Sequence, residues 1–281
     1  MSPPVPTYVL APNFSYHPNT SICMGDIIRY PEDPTKPLSS IPESMLQAVT
    51  SHFDYDNELS NQNASSLRGS IWANFLHQAS ATLGGGTADE LLTKYSIRRL
   101  ETIYFTKQPT DEEAAERVKE NKVQAAINSG ILGKKPVFMI TGLKVARGFQ
   151  LSSIINLATT HDTKFNAKVT SDFVLGADTD CRQENNAEQK YRTEQDFIFA
   201  YQLHIITHKG WFWEQQNVDI TVHKASAAFL NNDKKEEEKD SICTNIATES
   251  ILRAFDKKPK VEAASANDGE QQCVCFVLRE G

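Results

Sequence analysis

Apolar and polar residues alternate regularly along residues 69–83. The apolar side chains fall on one face with a period of two, broken only by His77, while Trp72 and Leu76 interrupt the polar face. The apolar face consists of Ile71, Ala73, Phe75, Ala79, Ala81 and Leu83. A period of two is typical of a strand that buries one face. The pattern therefore predicts a long amphipathic strand.

A turn and a second extended stretch follow this strand. Three glycines at 84–86 give the backbone the freedom that a turn needs. Residues 91–105 then return as an extended stretch that includes Tyr95 and Ile97. Together the two stretches predict a loose amphipathic hairpin.

The most regular alternation lies further along, in residues 165–177. Its polar face carries residues such as Asn166, Lys168 and Thr170, and a polar run at 178–196 follows. Its apolar face consists of Phe165, Ala167, Val169, Phe173, Leu175 and Ala177. This pattern predicts a second amphipathic hairpin.

The segments around these hairpins predict a buried core. Residues 137–143 and 197–206 are short and apolar on both faces, which is typical of central strands, so we expect them to lie side by side. Thr110 and Glu113 form a capping-box pattern ahead of residues 114–127, which favour helix, and Gly130 supplies a stop.

The composition changes after residue 230. Residues 231–240 are almost entirely charged or amide-bearing and predict a solvated linker. Beyond the linker, apolar residues recur at helical spacing from Ile242 to Phe255, and an apolar patch lies at 273–278. We therefore expect a main domain at 1–230, a linker at 231–240 and a short tail at 241–281 that docks on the main domain.

Charge and cysteine content narrow the function classes. A net charge of −7 argues against a general nucleic-acid binder, since binding phosphates requires a dominant basic surface. The five cysteines lack zinc-type spacing, and the N-terminus lacks a signal segment, so we expect a reducing cytosol. No apolar run reaches the roughly 18 residues of a transmembrane helix, so a membrane-spanning form would consist of strands.

Candidate enzyme chemistry is weak. His161 beside Asp162, with Ser152 and Ser153 upstream, lacks a nucleophile elbow and an oxyanion-binding glycine arrangement. The glycines at 84–86 lack the Lys and Ser/Thr of a phosphate-binding loop. We expect no catalytic residue, no metal and no cofactor.

The order of these elements resembles the N-terminal pore-forming domain of gasdermins, in particular the compact fungal type. Three segments carry the resemblance: 19–28 (NTSICMGDII), 136–147 (PVFMITGLKVAR) and 195–206 (QDFIFAYQLHII). It implies an α+β fold with a twisted, mostly antiparallel sheet and surrounding helices. It also implies an executioner of regulated cell death, in defence or nonself recognition, that oligomerises and inserts both hairpins into a membrane.

The same resemblance implies the partners and locations. An inactive cytoplasmic form would move to the plasma membrane, bind acidic phospholipids and assemble as a homo-oligomer after a protease or an allelic gasdermin-like partner displaces the tail. Candidate lipid-binding cations are Lys94, Arg98, Arg99, Lys134, Lys135, Lys144, Arg147 and Lys209. Candidate inhibitory tail residues are Ile246, Ile251, Phe255, Val274 and Phe276. The alternative is a lipid-binding or protein-interaction module that forms no pore.

Overall fold

The computed structural model describes residues 5–55, 69–81, 95–130, 134–153, 189–192, 196–208, 242–255, 261–268 and 271–278. The strands in these ranges are β1 (Thr7–Leu10), β2 (Ile27–Ile28), β3 (Pro37–Ser39), β4 (Val49–Tyr55), β5 (Tyr95–Ser96), β6 (Arg99–Phe105), β7 (Val137–Arg147), β8 (Gln150–Ser153), β9 (Gln189–Arg192), β10 (Phe197–His208), β11 (Ile242–Ile246), β12 (Val261–Asp268) and β13 (Gln271–Leu278). The helices are α1 (Ile71–Ala81), α2 (Asp111–Val118), α3 (Asn121–Ile127) and α4 (Glu249–Phe255), and a 3-10 turn lies at Glu43–Met45.

The two long central strands β7 and β10 organise the fold. Nearly every residue of both strands is buried, as their apolar sequences predict, and they pair antiparallel from Phe197 opposite Ala146 to Ile206 opposite Val137. The prediction that these segments lie side by side is confirmed.

A ten-stranded sheet extends from this pair in the order β12-β13-β1-β10-β7-β2-β3. Strand β6 also pairs with β7 and carries β4 on its other edge, while β11 pairs with the end of β10. Among the pairings of the described strands, β1 with β13 is parallel and the others are antiparallel. The expected α+β fold with a mostly antiparallel sheet is confirmed.

Both faces of the sheet are covered by apolar side chains. Neighbouring residues of one strand point to opposite faces, so Phe197 and Phe199 pack with α1, whereas Ile198 joins the cluster that contains residues of α2, α3 and α4. The core therefore lies in two layers, one on each side of β7 and β10.

The predicted strand at 69–83 is wrong, because residues 71–81 form the helix α1. The residues that interrupt the alternation decide the outcome: Trp72 and Leu76 are buried together with Ile71, Phe75 and Ala79, which is one face of a 3.6-residue repeat. Ser70 begins the helix by accepting a hydrogen bond from the Ala73 N–H, 3.2 Å away. The large sheet buries this stripe, because α1 packs against β10, β12 and β13.

The predicted pairing within the first hairpin is also wrong. Residues 95–96 and 99–105 are extended, as expected, but β6 pairs with β4 and β7, and β5 pairs with β8. Residues 82–94, which contain the glycine triplet, lie outside the described residues.

The capping box is confirmed, since Thr110 Oγ1 accepts from the Glu113 N–H and the Glu113 carboxylate accepts from the Thr110 N–H. The single helix expected after it is two helices, α2 and α3, separated at Lys119 and Glu120. The second ends at Ile127, ahead of the expected stop at Gly130. Glu120 has an extended backbone and is the N-cap of α3, so the helix is interrupted there.

The helical prediction for 242–255 holds only for its second half. Residues 242–246 form β11, because backbone hydrogen bonding to the exposed edge of β10 takes precedence over a helical apolar spacing. Residues 249–255 form α4. The linker at 231–240 lies outside the described residues.

Candidate functional site

The structure contains a second, smaller sheet next to the large one. It contains β5, β8 and β9 in the order β5-β8-β9, all antiparallel. Each strand continues along the chain into the large sheet: β5 into β6, β7 into β8, and β9 into β10. The small sheet therefore gathers chain segments from both predicted hairpins.

The pairing of β8 with β9 has the form of a hairpin base. Its register runs from Gln150 opposite Arg192 to Ser153 opposite Gln189, so the two strands enclose residues 154–188. The alternating stretch from Phe165 to Ala177, with Ala167, Val169, Phe173 and Leu175, lies in this enclosed segment and outside the described residues. Ser152 and Ser153, the serines upstream of His161, are strand residues of this base.

The first predicted membrane segment is packed inside the protein as α1. Ile71, Ala73, Phe75 and Ala79 are each 6% exposed or less. The rings of Trp72 and Phe75 belong to an aromatic cluster with Phe14, Phe149, Phe197 and Phe199, with centroid separations of 5.0–6.2 Å. The side chains of Ala81 and Tyr95 and the position of Leu83 are outside the described part of the structure, whereas Ile97 is buried.

The tail residues are part of the large sheet and contact α1. Strand β13 pairs in parallel with β1, placing Val274 opposite Thr7 and Phe276 opposite Val9. The Asn267 N–H donates to the Gly69 carbonyl at 2.8 Å, just ahead of α1. Ala266, Cys273 and Cys275 pack in the same core cluster as α1.

The proposed inhibitory residues differ in how far their side chains are buried. Phe276 is 1% exposed, and Val274 and Ile251 are partly buried against the cluster shared with α2 and α3. Ile246 is half-buried in β11, and the side chain of Phe255 is not described. Phe276, Val274 and Ile251 therefore pack against the large sheet.

Lys144 is buried, contrary to the surface position expected of a lipid-binding cation. Its side chain is 2% exposed, and Nζ lies 2.7 Å from Asp268 Oδ1, 3.0 Å from Asp54 Oδ2 and 2.6 Å from Thr102 Oγ1. These three acceptors match the three donors of an ammonium group. Lys144 is thus an internal tie between the main domain and the tail.

Further polar groups extend this cluster. The Tyr8 hydroxyl donates to Asp268 Oδ2 at 3.0 Å, and Thr102 donates to Asp54. His52 Nε2 lies 2.8 Å from Asp54 Oδ1. Burial, together with the Asp268 carboxylate, raises the pKa of Tyr8, so this hydroxyl stays protonated and continues to donate.

Arg147 is also engaged in ion pairs. Its Nε lies 2.6 Å from Glu101 Oε2, and its Nη1 lies 2.6 Å from Asp196 Oδ2. Burial lowers the pKa of Arg147, but the Asp196 and Glu101 carboxylates outweigh this effect and raise it, so the guanidinium stays charged.

The other predicted cations do not form one patch in the described structure. Arg98 is exposed, and the guanidinium of Arg99 lies over the Phe53 ring at 4.7 Å from its centroid. Lys134 and Lys135 are half-buried ahead of β7. Lys94 and Lys209 lie outside the described residues.

Sequence reasoning missed the acidic partners Asp54, Glu101, Asp196 and Asp268. Each lies at least 46 residues from the cation that it binds, so no local spacing connects them. A weak local signal is the acidic Glu101 directly after the apolar Leu100 in β6.

Two kinds of site are not found in the described residues. No group of three His, Cys, Asp or Glu side chains there is placed to hold a metal ion. None of the helices in that part of the chain has the length and apolar character needed to cross a bilayer.

No protein-family model matches the sequence, and no curated protein matches it either. Among solved structures, the chain is similar to a bacterial gasdermin from Bradyrhizobium tropiciagri, with 16% identical residues and a TM-score of 0.31. The similarity covers 72% of this chain and 82% of that chain. A TM-score of this size does not establish a common fold, and the α+β description rests on the sheets and helices given above.

Proposed function

We propose that this chain is a gasdermin-type pore-forming protein that oligomerises on an acidic phospholipid membrane and inserts amphipathic hairpins. The observation that carries the proposal is the hairpin base at β8 and β9. The segment that it encloses contains the most regular apolar–polar alternation of the sequence, from Phe165 to Ala177.

The enclosed segment meets the physical requirements of a membrane-spanning strand. A tilted strand crosses the hydrocarbon core with about 9–11 residues whose side chains alternate between lipid and water. The stretch from 165 to 177 has 13 residues, which exceeds this minimum length, and it has the alternation. Because unpaired backbone groups are costly in hydrocarbon, insertion requires many protomers to pair their hairpins in a closed ring.

The segment of α1 supports a second hairpin through its double periodicity. Ile71, Phe75 and Ala79 belong both to the buried helical face and to the period-two apolar face that a strand would present. Conversion to a strand would transfer Trp72 and Leu76 to the polar face and remove the six buried side chains of α1 from the core. Each large one contributes about 1.5–3 kcal/mol of burial, so α1 leaves the core only when the membrane replaces it.

The tail supplies the restraint in this proposal. Its residues bond to the start of α1 and pack beside it, so displacement of 241–281 would uncover the first segment. Cleavage within 231–240 would permit that displacement once a second event separates the pieces, and an allelic gasdermin-like partner that competes for β1 would drive it. Exposed or half-buried cations such as Arg98, Lys134 and Lys135 are the better candidates for headgroup contact, each worth about 1 kcal/mol near an anionic leaflet.

The biological role follows the resemblance to gasdermins of the compact fungal type. The inactive form would be cytoplasmic, the active form would act at the plasma membrane, and the outcome would be regulated cell death in defence or nonself recognition. No catalytic step is required.

Vesicle leakage combined with negative-stain imaging tests the proposal. Protein cleaved at an engineered site within 231–240 is expected to release dye from phosphatidylserine-containing vesicles and to form rings on them. Vesicle binding without leakage or rings would favour a lipid-binding module. Absence of both binding and leakage from a folded, cleaved protein would reject the membrane function.

A further inference from the structure

The chain passes between the two sheets at three connections, which lie close together beside the side chain of Arg147. Ile97 and Arg98 connect β5 to β6, and Gly148 and Phe149 connect β7 to β8. Asp196 lies directly before β10. The connections are bonded to each other, since the Arg98 N–H donates to the Arg147 carbonyl at 3.0 Å and the Gly148 N–H donates to Asp196 Oδ1 at 3.2 Å. The described parts of the three connections, Arg98, Gly148 and Asp196, therefore lie next to each other.

Gly148 is the corner between β7 and β8. Its φ of +65° lies in the left-handed region that side-chain-bearing residues rarely adopt. A Cβ added at Gly148 would lie 2.9 Å from the Cβ of Arg98. The corner thus depends on glycine both for its backbone conformation and for the close approach of the neighbouring connection.

The side chains around the corner fix it to the large sheet. Phe149 is 0% exposed, and its ring centroid lies 5.0 Å from that of Phe197. Asp196 is held from the other side, because its backbone carbonyl lies 2.9 Å from His17 Nδ1. The corner is therefore anchored on its large-sheet side by packing and by backbone contacts.

Arg147 joins the three connections electrostatically. It bonds Glu101 on β6 and Asp196 ahead of β10, and Asp196 in turn bonds the Gly148 N–H. Arg99 lies opposite Arg147 in the pairing of β6 with β7, so two like charges face each other there. The two carboxylates offset that repulsion and are partly shielded from water, with side-chain exposures of 11% for Glu101 and 33% for Asp196.

We propose that Arg147, Glu101 and Asp196 form an ionic clamp that holds the Gly148 corner and thereby fixes the orientation of the β5-β8-β9 sheet on the large sheet. Release of the clamp lets the small sheet, and the hairpin base within it, reorient while β7 and β10 stay paired. The link from this movement to membrane insertion rests on the proposed function, whereas the clamp itself does not.

Peptide-resolved hydrogen exchange of the full chain tests the clamp. The variant Asp196→Asn keeps the side-chain size and removes the charge that Arg147 binds. We expect exchange at 150–153 and 189–192 to become about tenfold faster or more, as for a local opening made easier by about 1.4 kcal/mol, with 137–147 and 197–206 unchanged. Asp33→Asn is the matched control, because Asp33 pairs with Lys36 at the surface, and it should alter none of these segments.

Two results would overturn the clamp. One is unchanged exchange in the small sheet of Asp196→Asn, and the other is an equal rise in β7 and β10, which would mean general destabilisation. If Asp196→Asn does not fold, Glu101→Gln replaces it, since this change leaves the bond between Asp196 and Gly148 in place. It is expected to give a smaller rise confined to the same two segments, and no rise would reject the clamp.

Dye release from phosphatidylserine-containing vesicles separates the clamp from the proposed function. Faster release by Asp196→Asn than by the unmodified chain supports the link to insertion. Faster exchange with unchanged release supports the clamp and rejects that link. If no form of the protein releases dye, the pore function fails, and the exchange data alone decide on the clamp.

Discussion

Single buried groups set how the stability of this protein depends on pH and charge. His204 on β10 is 4% exposed, its Nδ1 lies 2.8 Å from Thr141 Oγ1, and burial lowers its pKa to about 4. The unfolded chain therefore takes up a proton at His204 below about pH 6.5, whereas the folded chain does so only near pH 4. The contribution of His204 is complete above pH 6.5 and is lost as the pH falls to 4.

The first prediction concerns this histidine. Between pH 7 and pH 4, His204→Asn should lose about 3 kcal/mol less free energy of unfolding than the unmodified protein, because Asn does not titrate. Urea unfolding at both pH values measures the difference. An equal loss in both proteins would show that His204 binds its proton alike in the folded and unfolded states.

Lys144 provides the second residue-scale prediction. Lys144→Met removes the ammonium group and leaves Asp54 and Asp268 without their shared partner in a buried site. We expect a loss of about 3–5 kcal/mol in the free energy of unfolding, the usual cost of breaking a buried ion pair. Lys36→Met at the exposed pair with Asp33 is the control and should leave unfolding unchanged. Equal losses of free energy of unfolding for Lys144→Met and Lys36→Met would contradict the buried ion pairs of Lys144.

At the scale of elements, the sequence predicts those strands and helices that are marked by a continuous apolar run or by a local capping pattern. The central strands follow from apolar runs, and the capping box of α2 follows from Thr110 and Glu113. It does not separate helix from strand at 71–81, where Ile71, Phe75 and Ala79 fit both repeats. Trp72, Leu76 and the N-cap Ser70 favour the helix. The sequence also misses the ionic pairs, because their partners meet only after the sheet has formed.

Leu76 and His77 test α1 directly, because the two periodicities assign them opposite environments. In the helix Leu76 is 0% exposed and His77 is exposed. Leu76→Ala should therefore cost about 2–5 kcal/mol and His77→Ala no more than about 0.5 kcal/mol. Chemical denaturation compares them, and a larger loss for His77→Ala would indicate a strand in the resting protein.

At the scale of the whole molecule, the tail is a structural part of the sheet. Strands β11 and β13 pair with β10 and β1, and Ala247, Leu252, Cys275 and Phe276 are each 5% exposed or less. Cutting the connection between main domain and tail removes none of these contacts. Activation by cleavage therefore requires a second event that separates the pieces.

This leads to a prediction about the cleaved protein. After complete cleavage within 231–240, the two fragments should elute together in size-exclusion chromatography under native conditions and separate in denaturing urea. Addition of phosphatidylserine-containing vesicles should then shift the larger fragment to the lipid fraction. Separation in the absence of lipid or denaturant would contradict the strong docking of the tail.

The most direct test of pore formation compares the two faces of residues 165–177 by dye release from phosphatidylserine-containing vesicles. In the cleaved protein, Val169→Asp with Leu175→Asp should abolish release, because each charge on a lipid-facing position costs energy in hydrocarbon. Thr170→Asp on the opposite, water-facing side should retain it. Equal release by the two variants, or no release by cleaved protein that binds the vesicles, would contradict hairpin insertion.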